Sequence, residues 1–594
     1  MNDTSVEPQP KTPGARLAYG RLIARYLRDE KPRVILLAGL LAATIGLQLY
    51  VPQLIRSFID LAAGGRPAAS LLRLAGIFIG LALLRELANA AVTYVGQDLR
   101  WRSTNVLRAD LTRHCLALGM DFHNGQTPGT MIERVDGDVT ALSNLMSDYF
   151  LRVVGNVLIL VGVLVLLWRE DMRLGLAYSA FVLLTFLALR RAATVAVPAW
   201  KQAREASAEL FGFLEERLAG TEDIRASGAE GWVLQRFLHR HRDYMQVRRR
   251  AGLLGSAIWV GTIALFTLGS ILALGMGAWL YQAGAISLGT VYLVFHYTEM
   301  LRGPIEQLSH QLEDLQRAGG GLERVAELLA QPLPIEPSPE RATRLPSGAL
   351  SLDFEAVRFG YQPAEPVLQG LDFALAPGQV LGLLGRTGSG KTTLSRLLFR
   401  LYDIDAGRIR IGGVDLRDTR RAELRRRVGI VTQDVQLFNA SVRDNLSFFE
   451  PDVPDARILE VLEDVGLGGW LAGLPAGLDT ELETGGKGLS AGEGQLLAFA
   501  RVFLRDPGLV VLDEASSRLD PATEQRIERA VDRLLAGRTG IVIAHRLGTV
   551  QRCDQIMILS DGRIVEHGDR VALMTKPDSR FTQLLRAGME EVLA

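Results

Sequence analysis

Long apolar stretches fill the first half of the chain and stop near residue 300. They cover residues 34–51, 71–95, 151–168, 174–188, 253–280 and 288–301; the second, fourth and sixth are interrupted by charged or polar residues. A helix needs about 20 apolar residues to cross a bilayer. Soluble cores rarely sustain such runs without a polar stripe at helical period. The pattern therefore predicts an all-α transmembrane domain of about six helices. Residues 97–148 and 190–250 are long, charged and helical in pattern, as expected of extensions beyond the membrane. Past residue 347, short β-branched or leucine-rich runs alternate with helices, an α/β signature. Residues 331–347, QPLPIEPSPERATRLPS, are rich in proline and charge and read as a linker. The expected organisation is multi-domain: a disordered N-terminus over 1–16, the six-helix transmembrane domain over 17–330, the linker over 331–347 and the α/β domain over 348–590.

Basic residues orient the spans. Arg16, Arg21, Arg25, Arg28, Lys31 and Arg33 precede the first stretch, whereas residues 62–70 hold only Arg66 and residues 282–287 have no charge. The N-terminus is expected to be cytoplasmic, and an even number of spans then places both termini and the α/β domain inside a cell membrane. The N-terminus has no apolar core of a signal peptide. Within the second stretch, Arg85 and Glu86 are intramembrane charges, which normally face protein or a wet cavity. Sequence neighbours on a helix do not face each other, so each is expected to need its own partner. Glu299 and Arg302 are spaced to pair. Lys+Arg and Asp+Glu balance at 66 each, so nothing in the net charge argues for nucleic acid as a partner. Cys115 and Cys553 lack metal-ligand spacing and read as free thiols.

The chemistry lies in the second half. Residues 385–393, GRTGSGKTT, follow the apolar run VLGLL and precede a helix with Leu394, Leu397, Leu398 and Leu401 on one face. That is the strand–loop–helix context of a P-loop. Gly385, Arg386, Thr387, Gly388, Ser389, Gly390 and Thr393 form the loop, whose backbone N–H groups close around phosphate oxygens at a helix N-terminus. Lys391 is expected to neutralise the β- and γ-phosphates of ATP, and Thr392 to ligate Mg²⁺. Residues 509–512 read as a strand buried on both faces. Asp513 ends that run at the carboxyl edge, where it is expected to hold the Mg²⁺ shell. Glu514 is placed to act on the attacking water. His545 ends another short apolar run, 541–544, and is expected to sense the γ-phosphate.

With LSAGE at 489–493 added, the second half resembles the nucleotide-binding domain of ATP-binding cassette (ABC) transporters. The resemblance implies that Ser490 and Gly492 bind the γ-phosphate of ATP held by the opposite subunit. It further implies that Tyr361 stacks on adenine, that Gln433 contacts Mg²⁺ and the membrane domain, and that residues 516–520 cross a dimer interface. Without it, LSAG reads simply as a helix cap. The first half is similar to the exporter type of the family. Residues 122–138 and 213–230 look like its two intracellular loops, each carrying a short coupling helix.

The signature departs from the family's LSGGQ at Ala491 and Glu493. Intact Walker motifs beside an altered signature fit one partner of a heterodimer, in preference to a homodimer tolerating the changes. The resulting expectation is a half-transporter using ATP and Mg²⁺ to export a small hydrophobic, lipid-like or amphipathic substrate. The alternative is an ATP-gated or regulatory membrane protein of the same fold.

Overall fold

The computed structural model describes residues 26, 28–144, 150–334, 336, 342–362, 364–432, 435–483, 488–513, 521–544 and 547–587. The chain separates into two compact units. One comprises Met1–Leu116 with Thr127–Gln331, the other Ala117–Gln126 with Pro332–Ala594.

The first unit is helical. Its principal elements are α1 (Lys31–Ala63) and α2 (Ala68–Ala117), then, after the short α3 (Met120–Asn124), α4 (Asp138–Asn144), α5 (Phe150–Glu170), α6 (Met172–Ala219), α7 (Thr221–Ala226), α8 (Glu230–Gln282) and α9 (Leu288–Ala330). Among the described residues, five helices, carrying the first five apolar stretches, are long and apolar enough to cross a membrane. The sixth stretch lies in α9, where Glu299, Arg302 and Glu306 dilute the hydrophobicity. At 1.5 Å per residue, the 21 residues of α5 span roughly 30 Å, the thickness of a bilayer core. By the same rise the 53 residues of α8 reach roughly 80 Å, far beyond a membrane. Within the expected extensions, residues 97–117 continue α2, residues 190–219 continue α6 and residues 230–250 begin α8.

Packing in this unit centres on Tyr178, Phe266, Leu293, Tyr297 and Leu301, all buried. The Tyr178 hydroxyl donates to the carbonyl of Gly269 at 3.3 Å and accepts from Thr298 Oγ1 at 2.8 Å, so its burial leaves no lone polar atom. By contrast, no residue in the most apolar window of α2 is buried within the chain.

Two expectations about intramembrane charge are corrected. Arg85 does not seek a separate partner: its guanidinium donates to Glu86 Oε1 from Nε at 3.2 Å and from Nη2 at 2.6 Å. The backbone directions of neighbours diverge, but two long side chains can curl together above the helix surface. Nor does Arg302 pair with Glu299. It donates to Glu306 one turn on at 3.1 Å, and Glu299 accepts from Ser270 Oγ at 2.9 Å.

The second unit is α/β. An antiparallel sheet has the order β2 (Glu365–Leu375), β1 (Leu352–Gln362), β4 (Ala406–Ile411), β5 (Val414–Asp415). A six-stranded sheet has the order β12 (Arg563–Asp569), β11 (Gln555–Ser560), β3 (Val380–Gly385), β10 (Thr539–Ile543), β9 (Leu509–Asp513), β6 (Val428–Val431). It is parallel except for β12. The remaining pair, β7 (Ala440–Ser441) and β8 (Glu481–Leu482), is antiparallel. Strand alternation divides the core. Leu509 and Val511 of β9 pack towards the antiparallel sheet, whereas Val510 and Leu512 pack towards the helices on the other face. This two-sided burial is why the strands read as unbroken apolar runs.

The short helix α3, flanked in sequence by membrane-domain helices, belongs to the second unit. Met120 packs against the core that holds β1 and β3, and Asn124 Nδ2 donates to the Tyr402 hydroxyl at 2.5 Å. The first loop thus supplies its short helix to the α/β unit. The second loop supplies α7, none of whose residues is buried.

Candidate nucleotide site

The site forms where β3 turns into α10 (Lys391–Leu398). The turn needs glycine. Gly385 has φ +154°, and a Cβ there would lie 2.4 Å from the Leu559 carbonyl oxygen and 2.6 Å from Ser389 Oγ. Gly390 has φ +106°, and its Cβ would meet Leu368 Cδ2 at 2.6 Å. Arg386, Thr387 and Gly388 form the exposed tip, while Ser389, Gly390, Lys391 and Thr393 are buried. Among the described residues Ser389 Oγ has no hydrogen-bond partner, an orphaned polar atom inside the loop. The Lys391 ammonium folds back onto the loop, donating to the carbonyls of Gly385 at 2.5 Å and Arg386 at 3.0 Å. Burial pushes its pKa down, and the charge of Asp513 partly opposes this. A cation held by carbonyls at a helix N-terminus, beside an unpaired hydroxyl, is suited to an incoming polyphosphate.

Thr392 and Asp513 line one cavity of about 670 Å³. A hydroxyl and a carboxylate are hard oxygen donors that fit Mg²⁺. The cavity continues past Arg396, Phe438 and Phe448 to Arg501 and Arg505. Arg501 is buried, its pKa pushed down to about 10, chiefly by loss of solvent. It donates to the carbonyls of Asn445 at 2.7 Å and Gln436 at 2.9 Å, and its guanidinium lies 4.6 Å from the Phe448 ring centre.

Tyr361 lies beside the P-loop helix. Its hydroxyl accepts from Arg396 Nη1 at 3.0 Å and lies 3.1 Å from Thr393 Oγ1. Its ring meets those of Phe359 and Tyr402 edge-on at 5.1 and 5.2 Å. The aromatic face is therefore fixed next to the loop. Ser490 stands apart, outside the lining of the cavity, and caps α13, the helix Ala491–Arg505. (The helices between α10 and α13 include α11, Val442–Ser447, and α12, Asp455–Asp464.) Gly492 is buried in the first turn of α13.

Gln433, Glu514, residues 516–520 and His545 lie outside the described residues. The structure therefore brings together the P-loop, Tyr361, Thr392 and Asp513. Sequence reasoning missed Arg396, Tyr402 and Arg501. Arg396 was accessible as the residue one turn beyond Thr392 on a helix whose start was known. Tyr402 and Arg501 gave no local signal, since their partners are remote in sequence.

Comparison with known proteins identifies the family. The description "ABC transporter" matches residues 368–517, and "ABC transporter transmembrane region" matches residues 34–305. A fatty acid ABC transporter ATP-binding/permease protein of Mycobacterium bovis is 32% identical over 470 residues, covering 79% of this chain and 74% of that protein. The chain belongs to the ABC transporter family. An ATP-dependent lipid A-core flippase of Alcanivorax borkumensis is 30% identical over 492 residues, covering 82% of this chain and 83% of that protein. The solved structure of a bacterial Atm1-family ABC exporter with ATP bound shares the fold, with a TM-score of 0.76 and 24% identity over 94% of this chain and 98% of that one. The transporter is thus a fused half-transporter, a multi-pass membrane protein with an ATP-hydrolysing cassette that drives export.

Proposed function

We propose that the transporter exports a hydrophobic or amphipathic compound, using two ATP sites shared between two half-transporters. The P-loop geometry carries this reading: its cradle fits ATP, while Ser490 and Gly492 lie outside the cavity that holds Thr392 and Asp513. A γ-phosphate reader away from its own P-loop is useful when it serves another subunit's ATP. The bare face of α2 supports a second subunit as well. Arg85 and Glu86 stand on a span that is unburied in one chain, and such charges need protein or water around them. A helix as short as α7 is marginal on its own, so its exposed acidic start, Glu222 and Asp223, suits docking to a cassette.

In this reading Tyr361 stacks on adenine. Lys391 and the loop amides, with Ser389, bind the phosphates. Thr392, Asp513 and Gln433 would hold Mg²⁺, which would neutralise charge developing on the phosphates. Glu514 positions or deprotonates the attacking water, and His545 senses the γ-phosphate. Both termini and the cassette are cytoplasmic. Closure depends on ATP contacts that exist only across the paired cassettes, which supplies the differential affinity a change of state requires. The altered signature favours a heterodimer. The functions that the relatives' names carry, fatty acid transport and lipid A-core flipping, support an amphipathic cargo.

The test uses reconstituted vesicles. ATP-dependent accumulation of a fluorescent amphipath against its gradient supports the pump, and passive flux opened by ATP supports a gated channel instead. Glu514→Gln is expected to bind ATP, hold the cassettes closed and stop turnover. Turnover at the wild-type rate would remove Glu514 from the mechanism.

A further inference from the structure

The signature helix opens with a closed circuit. Ser490 Oγ accepts from the Glu493 backbone N–H at 3.3 Å. In return, Glu493 Oε2 accepts from both the Ser490 backbone N–H and the Ser490 hydroxyl, each at 2.8 Å. As a local device this is a capping box, which serves an isolated helix end well. Its consequence for an anion site is different. The Ser490 hydroxyl and the start of α13 are the groups that would greet a γ-phosphate. Here the hydroxyl hydrogen already points at a carboxylate of the same chain. That carboxylate is partly exposed.

We propose that Glu493 is an internal competitor for the γ-phosphate, lowering the ATP affinity of the composite site that this chain's signature completes. The proposal rests on the shared-site reading given above. A phosphate reaching Ser490 must take over the hydroxyl hydrogen and accept a negative charge one helical turn away. At separations of about 5 Å near a protein surface, like charges repel enough to change affinity by tenfold or more. A glutamine at this position keeps the box, because its amide oxygen accepts the same hydrogen bonds without the charge. Glu493 is thus a residue that sets nucleotide discrimination: ATP, with a γ-phosphate, meets it, and ADP does not.

The test compares the assembled transporter in lipid nanodiscs with its Glu493→Gln, Glu493→Ala and Ser490→Ala variants. Glu493→Gln is expected to lower the KM for ATP about tenfold, about 1.4 kcal/mol, with kcat and the inhibition constant of ADP little changed. The advantage should narrow as salt is raised, because screening weakens the repulsion it removes. Glu493→Ala should shift KM in the same direction while also weakening the helix cap, which keeps the test open should one variant express badly. An unchanged KM in both Glu493 variants, with a raised KM in Ser490→Ala, makes Glu493 only a cap and overturns the proposal. Equal shifts for ATP and ADP overturn it too. If Ser490→Ala also leaves ATP turnover unaltered, the signature reads no phosphate and the shared-site reading falls with it.

Discussion

Asp138 and Arg324 make a strongly asymmetric ion pair of the membrane unit, and the asymmetry fixes an order of effects. Asp138 starts α4 and its side chain is 3% exposed, whereas Arg324 near the end of α9 is 50% exposed. Arg324 Nε donates to Oδ2 at 2.9 Å and Nη2 to Oδ1 at 2.5 Å, so the guanidinium serves both carboxylate oxygens. The carboxylate in turn raises the Arg324 pKa through these hydrogen bonds. Gly321 permits the approach, since a Cβ there would stand 3.2 Å from Asp138 Oδ1.

Removing Arg324 strands a buried carboxylate, which typically costs about 3–5 kcal/mol when a buried pair is broken. Half-exposure of the arginine lets water reach one side, so about 3 kcal/mol is the working figure. Removing Asp138 strands only an arginine that can turn to solvent, costing about 1 kcal/mol. The pair fastens the first loop to the helix that leads into the cassette. Local hydrogen exchange is the fitting assay, because a chain of two units need not unfold in one step. Amides of α4 should exchange roughly 100-fold faster in Arg324→Ala but only about fivefold faster in Asp138→Asn. Adding Asp138→Asn to Arg324→Ala should restore much of the lost protection. Equal effects, or a larger effect from Asp138→Asn, would refute the argument that the buried carboxylate dominates.

Four further outcomes follow from the site. Lys391→Ala should weaken ATP binding by roughly 10- to 100-fold in a fluorescent-nucleotide titration, the worth of a charge-assisted contact. Burial depresses the Lys391 pKa in the free protein, and bound phosphate would raise it again, so binding takes up a proton at alkaline pH. ATP affinity should therefore fall as pH rises through the depressed free-state value towards the bound one, and Lys391→Arg should flatten that slope. Tyr361→Ala should raise the KM for ATP about 3- to 10-fold through loss of a stacking face, whereas Tyr361→Phe should retain most affinity despite losing the bonds to Thr393 and Arg396. Arg501→Ala leaves the carbonyls of Gln436 and Asn445 short of a donor, and should lower cassette stability by about 2–4 kcal/mol in a denaturant series.

Much of the fold was legible because its signals are local. The apolar runs, the glycines around Lys391 and the strand ending at Asp513 are each one continuous stretch of sequence. The contacts that arrange these pieces are not local. Asn124 meets Tyr402 across 278 residues, and Asp138 meets Arg324 across 186. Neither pair has a spacing that a periodicity rule can register. Thus the loop at 122–138 was recognisable, but its division between two compact units was not: α3 goes with the cassette, while Asp138 stays with the membrane helices.

The misread charges show where a good rule stops. Residues one apart on a helix do point in different directions, which is why Arg85 and Glu86 were assigned separate partners. The rule concerns directions near the backbone, and an arginine head is several bonds away from it. A short pair on an uncovered span neutralises its own charge before anything else arrives. A second subunit on α2 would then meet a dipole rather than two bare ions, which lowers the desolvation cost of covering that face. Glu493 applies the same logic in reverse. There the local partner, Ser490, satisfies the carboxylate so well that an outside phosphate must compete for it. In both places an adjacent side chain decides what a remote partner encounters, and a sequence motif names the residues without showing which bond has already been made.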